Sequence, residues 1–79
     1  MRAPSGIGKV LFTPDGRAHG RVTDVVFDLA TGLILGYEIT RPDLSRRMVP
    51  AIAPVREEAE RIVVVPAAIK AATEDLSAL

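Results

Sequence analysis

The chain contains no cysteine, no tryptophan and a single histidine, His19. Without cysteine there is no disulfide and no thiolate zinc site, and one imidazole cannot supply the usual histidine cluster. An excess charge of either sign is missing as well, since ten Lys and Arg balance ten Asp and Glu. That balance argues against strong nonspecific affinity for nucleic acid or an anionic membrane, which depends on many uncompensated cations. Long apolar runs are also absent. The longest charge-free stretches, Leu29 to Tyr37, Met48 to Val55 and Ile62 to Ile69, fall far short of the roughly 20 residues a membrane-spanning helix needs. The opening MRAPSGIGKV has no apolar core of the signal-peptide kind. These absences predict a soluble, cytoplasmic protein with no metal, no cofactor and no membrane insertion.

What is present suits one small domain over residues 1–79. A core of that size stabilises a chain only modestly, so small domains gain from a disulfide, a metal or a partner chain. With the first two excluded, self-association remains, and a homodimer is expected.

Residues 1–8 are rich in Gly, Pro and Ser and read as a loose lead-in. Lys9 to Phe12 is a short strand candidate, followed by the turn signal Pro14-Asp15-Gly16. The next strand, about Gly20 to Asp28, does not alternate cleanly, because Val25, Val26 and Phe27 are consecutive. Either a bulge re-aims its side chains, or the strand is apolar on both faces. Gly32 suits a left-handed position closing a hairpin loop. From Leu33 to Thr40 the alternation is regular, with Leu33, Leu35, Tyr37 and Ile39 on one face.

Arg41 to Arg47 is a polar loop, and Arg56 to Glu60 is a charged turn into a strand over Arg61 to Val65. Met48-Val49-Pro50-Ala51 is echoed by Val64-Val65-Pro66-Ala67, and each Pro should mark a strand end or an exposed edge. In residues 67–79, Ile69, Ala72, Leu76 and Leu79 fall at helical spacing. They form either a C-terminal helix across a barrel opening or a helical turn followed by a final strand through Leu76 to Leu79. Together these elements predict a mostly β fold, a small antiparallel β-barrel of about five or six short strands with a short C-terminal helix.

Asp15-Gly16, the run Gly20 to Asp28, Thr31-Gly32, Arg47 to Pro50 and Ile62 to Pro66 resemble the PRC-barrel domain. That fold is named after the photosynthetic reaction centre H subunit and also forms the C-terminal half of the ribosome maturation factor RimM. The resemblance implies a small barrel serving as an adaptor or assembly module, without a shared catalytic site. Lacking a membrane anchor and a second domain, the chain is expected to be a free-standing small member.

No residue set reads as reaction machinery. His19 is expected at the surface or rim, with no nucleophile in context. Asp24 and Asp28 could do acid–base work or, with Glu38, bind an ion. The structural alternative has Asp28 capping loop amides and Asp24 pairing with Arg21 or a cation on a neighbouring strand. Gly6-Ile7-Gly8-Lys9 lacks the spacing of a phosphate loop, and Glu57, Glu58 and Glu60 read as solvated carboxylates. Phe12, Phe27 and Tyr37 lie within apolar strands rather than on a basic stacking face.

The resulting expectation is a non-catalytic, homodimeric adaptor with an unidentified protein partner. Val22, Val25, Phe27, Leu35 and Tyr37 are its candidate interface, and Arg41, Arg46 and Arg47 its candidate partner-binding residues. The alternative is an RNA- or ribosome-associated factor, for which Arg17, Arg21, Arg41, Arg46 and Arg47 would have to converge on one face.

Overall fold

A computed structural model describes residues 6–74. Its strands are β1 (Val10–Phe12), β2 (Ala18–Phe27), β3 (Ile34–Thr40), β4 (Arg46–Pro50), β5 (Arg56–Glu57), β6 (Arg61–Val63) and β7 (Thr73–Glu74), with a short helix α1 (Pro66–Lys70) before the last. They form one curled sheet in the order β5-β6-β1-β2-β3-β4-β7. Neighbours are antiparallel except β1 and β6, which run parallel. The fold is thus the expected small, mostly β barrel-like structure.

The concave side of this sheet is the core. Leu11, Val22, Val25, Tyr37, Ile39, Val49, Ile62, Val64 and Ala68 are buried together. Each large side chain among them contributes about 1.5–3 kcal/mol by leaving water. Gly6 is buried as well, and Gly8 N donates to Val22 O at 2.8 Å. The end of the supposed loose lead-in is therefore fastened to β2, while residues 1–5 lie outside the described residues.

The irregular pattern of β2 resolves into a bulge. Val22 faces Ile39 on β3, but Asp24 faces Glu38, so Thr23 is the extra residue. That insertion changes the inward phase, and Val22 and Val25 both reach the core although three positions apart. Thr23 Oγ1 clips the bulge to β3 by donating to Glu38 Oε1 at 3.1 Å. The Val25 amide donates to Asp24 Oδ1 at 2.8 Å. Asp24 thus holds its own strand's backbone rather than pairing with Arg21.

A second register shift lies between Val26 and Phe27, whose partners are Gly36 and Ile34. Leu35 is skipped, which separates it from the buried Tyr37 and Ile39. The regular face expected over Leu33, Leu35, Tyr37 and Ile39 is therefore half core and half surface. The loop between β2 and β3 closes as its residues suggest. Asp28 Oδ1 accepts from the Ala30 amide at 2.8 Å, and Gly32, at φ +74, donates its amide to Asp28 O at 2.7 Å.

The C-terminal part departs further from expectation. The segment read as a charged turn contains β5, where Glu57 pairs with Lys9 at 2.9 Å. Glu58 takes Arg61 at 2.6 Å and Arg56 at 3.1 Å, so these carboxylates are ion-paired, not merely solvated. Pro50 ends β4 as anticipated, but Pro66 opens α1, where its missing N–H costs nothing. The helix ends at Lys70, packs beside β4 through Ala68, and gives way to β7. The expected C-terminal helix is thus cut short at Lys70, and the strand that follows is Thr73–Glu74, upstream of the Leu76 to Leu79 strand of the alternative. Leu76 and Leu79 lie outside the described residues.

Gly36 marks the closest approach in the sheet. A Cβ there would lie 2.8 Å from Val49 O and 3.4 Å from Pro50 Cα, both backbone atoms that cannot yield alone. Gly36→Ala is expected to lower stability by about 1–3 kcal/mol, as overpacking does. Urea unfolding followed by circular dichroism checks this, and an unchanged midpoint would mean that β3 and β4 can separate there.

Candidate binding surfaces

The one histidine belongs to a polar knot at the β1–β2 turn. Thr13, buried, donates its hydroxyl proton to Asp15 Oδ1 at 2.5 Å and lies 3.0 Å from His19 Nε2. A hydroxyl has one proton to give, so His19 Nε2 must donate to it. The hydroxyl, not the imidazole, occupies the middle of this chain. His19 therefore cannot act as a base toward Thr13, and the three residues clamp a turn.

The Thr13 hydroxyl and then the Arg17 amide hold the Asp15 carboxyl below its ordinary 3.8. Partial burial pushes His19 below 6.5, against the pull of Asp15. Among the described residues, no three His, Asp or Glu side chains converge as a metal site requires. Asp24 and Asp28 are committed to the backbone amides of Val25 and Ala30.

The expected interface residues divide. Val22, Val25 and Tyr37 are core side chains with no surface to offer, because the bulge and the register turn them inward. Phe27 and Leu35 are exposed at the far end of the β2–β3 hairpin, and they have company. Val26, Leu29, Leu33 and Ile34 are exposed there too, Leu29 by 90 % and Leu33 by 66 %. Leu29, Leu33 and Ile34 have a signal in the sequence, an apolar run either side of a turn, but there Leu29 reads as part of the connecting loop and Leu33 and Ile34 as opposite faces of a strand.

The reason for their exposure is geometric. The β1 side covers β2 only as far as Val22, and β4 meets β3 only from Gly36 on, with Ala51 N donating to Leu35 O. Past those points, among the described residues, the hairpin has no further strand paired to it. Beside it lies a shallow apolar depression of about 220 Å³ that includes Val26, Leu35, Met48, Pro50 and Ala71.

The expected arginine cluster is also dispersed. Arg46 and Arg47 are consecutive on β4 and so point to opposite sheet faces. Arg46 Nη1 lies 4.0 Å from Glu38 Oε1, while Arg41 donates from Nε to Ser45 Oγ at 3.2 Å. Arg21 on β2 and Arg41 in the β3–β4 turn do share a groove of about 470 Å³ with His19, Val10, Pro42 and Leu44. In the sequence Arg21 reads as an RNA contact or a partner for Asp24, and Leu44 is not singled out.

A small curled sheet closed by one short helix, with shallow grooves on its surface, defines the class as a small barrel-like β domain. The chain matches the PRC-barrel domain over residues 1–72 and belongs to that family. Domains of this family are small binding or assembly modules and are generally non-catalytic. No curated protein matches the chain. No helix among the described residues is long and apolar enough to cross a membrane.

The polar knot sets an acid response. Unfolded His19 takes up a proton near 6.5 and the folded one resists, so its stabilisation is complete above that pH and declines as pH falls below it. Asp15 contributes above 3.8 and loses its contribution as pH falls through its lower folded value. Urea midpoints measured against pH should therefore fall in an upper and a lower step. His19→Asn should flatten the upper step and leave the lower one in place.

Proposed function

We propose that this protein is a non-catalytic assembly module that dimerises through its β2–β3 hairpin and presents its remaining surface to a protein partner. The observation that carries this reading is the hairpin's uncovered apolar end. An isolated two-stranded hairpin is marginal in water, and this one presents Val26, Phe27, Ile34 and Leu35 on consecutive strand positions, hence on both faces. Asp28 is the only charge between Val25 and Tyr37, and it is occupied by the loop amide.

A second copy of the chain is the occupant that fits. Leu29 and Leu33 project from the same hairpin whose Val26 and Leu35 line the apolar depression, so one molecule carries both a knob and a hollow. Self-complementarity of that kind is what a two-fold interface requires. The exposed side chains offer on the order of 500 Å² per copy, so a pair would bury about 1,000 Å², the lower bound for a specific interface. A cysteine-free composition accords with a cytoplasmic setting. An RNA-binding role has less support, because Arg46 and Arg47 face opposite ways and the net charge is zero.

Light scattering on the eluting protein is expected to give twice the monomer mass at micromolar concentration. The double variant Leu29→Glu, Leu33→Glu should elute as a monomer with an unchanged circular dichroism spectrum, since neither side chain is in the core. A wild-type protein that stays monomeric as concentration rises would defeat the proposal.

A further inference from the structure

Two hairpins of the sheet close with the same turn. β1 passes into β2 through Thr13-Pro14-Asp15-Gly16-Arg17, and β3 into β4 through Arg41-Pro42-Asp43-Leu44-Ser45. Their hydrogen bonds correspond one to one. Gly16 N donates to Thr13 O at 3.0 Å, and Leu44 N to Arg41 O at 2.8 Å. Thr13 N donates to Arg17 O at 3.1 Å, and Arg41 N to Ser45 O at 2.9 Å. In each turn the Asp carboxylate accepts the amide two residues on, at 3.1 Å from Arg17 and 2.9 Å from Ser45.

The two turns differ at the left-handed position. Gly16 occupies it at φ +84 and Leu44 at φ +68. Leucine pays a steric cost there that glycine escapes, and the first turn demonstrates that glycine serves this geometry. Nor does Leu44 recover that cost by burial, for it is 81 % exposed. Neither the backbone nor the core accounts for leucine. Strain held without internal compensation points to what the side chain meets outside.

Leu44 stands on the wall of the groove that also contains Val10, His19, Arg21, Arg41 and Pro42. No Asp or Glu among the described residues lines this groove. The nearby carboxylates are occupied, Glu38 by Thr23 with Arg46 at 4.0 Å, and Asp43 by Ser45 with Arg41 at 3.9 Å. Arg21 is braced by one donor to Gly8 O at 2.7 Å, and Arg41 by its Nε bond to Ser45. Two oriented guanidinium groups therefore flank an apolar wall.

We infer that this groove binds a short extended peptide segment of a partner protein, carrying a carboxylate beside an apolar side chain. Arg21 and Arg41 receive the carboxylate, and Leu44, Pro42 and Val10 receive the apolar group. A nucleic acid fits less well: no aromatic side chain lines the groove for base stacking, and its apolar wall would be left without a partner. The groove lies at the Thr40 end of β3 and the apolar hairpin at the Ile34 end, so the two surfaces are separate.

A fluorescein-labelled peptide of alternating glutamate and leucine, titrated with the full chain and followed by anisotropy, tests the inference. It should bind about ten-fold more tightly than glutamine–leucine and glutamate–serine controls, a difference of roughly 1.4 kcal/mol. Leu44→Gly should raise the urea midpoint yet weaken the peptide about ten-fold, and Arg21→Gln with Arg41→Gln should abolish the preference for glutamate. The Leu29→Glu, Leu33→Glu variant should bind the peptide like wild type, whatever its oligomeric state. The inference is overturned if the peptide fails to bind, if only a labelled oligouridylate binds, or if the hairpin variant loses binding. It is equally overturned if Leu44→Gly leaves either affinity or midpoint unchanged.

Discussion

One extra residue on β2 decides which side of this sheet becomes a core. Without Thr23 as a bulge, strict alternation would send Val22, Asp24 and Val26 to one face and Val25 to the other. With it, Val22 and Val25 converge on Tyr37 and Ile39, and Asp24 stays outside. The insertion would cost a backbone amide its partner, and the chain supplies one locally in the Asp24 carboxylate. Thr23 anchors the same point to β3 through Glu38. Two polar residues thus fix the register on which the burial of the apolar ones depends.

The second constraint is a mismatch in length. β2 runs for ten residues, against three in β1 and five in β4. A sheet this small cannot cover its longest hairpin, and the uncovered end is apolar. Small domains bury a limited fraction of their surface, and a free-standing chain of this size would ordinarily make such a projection polar. The composition of the tip is what motivates the proposed interface there, since the core does not extend to it.

Much of the fold was legible in the residues. Pro14-Asp15-Gly16 and Gly32 specified their turns through backbone preference alone, and the consecutive Val25, Val26 and Phe27 announced an irregular strand. Which residues of that strand faced inward was not legible, because a bulge resets the phase and its position depends on hydrogen bonds to a neighbouring strand. Hence Val22, Val25 and Tyr37 read as interface and are core, while Leu29 and Leu33 read as a loop and a strand face and are the exposed tip. β5 and β7 escaped notice because two-residue strands have no periodicity to detect. The arginines illustrate the same limit. Arg46 and Arg47 are neighbours in sequence and opposites in space, whereas Arg21 and Arg41 are brought together only by the β2–β3 ladder.

The repeated turn makes it possible to separate what the fold needs from what it tolerates. Backbone strain at one position usually lacks a reference, since the unstrained alternative must be imagined. Here the chain contains its own reference, a Pro-Asp turn with the same bonds and glycine at the left-handed position. The fold's requirement is met by glycine, so leucine at position 44 answers to something other than folding. The sheet keeps its two exposed specialisations at opposite ends of β3, an apolar hairpin end and a groove holding two braced arginines. Under the proposed reading, self-association at one end would leave the other end accessible, the arrangement by which an assembly module could hold a second copy and a partner at once.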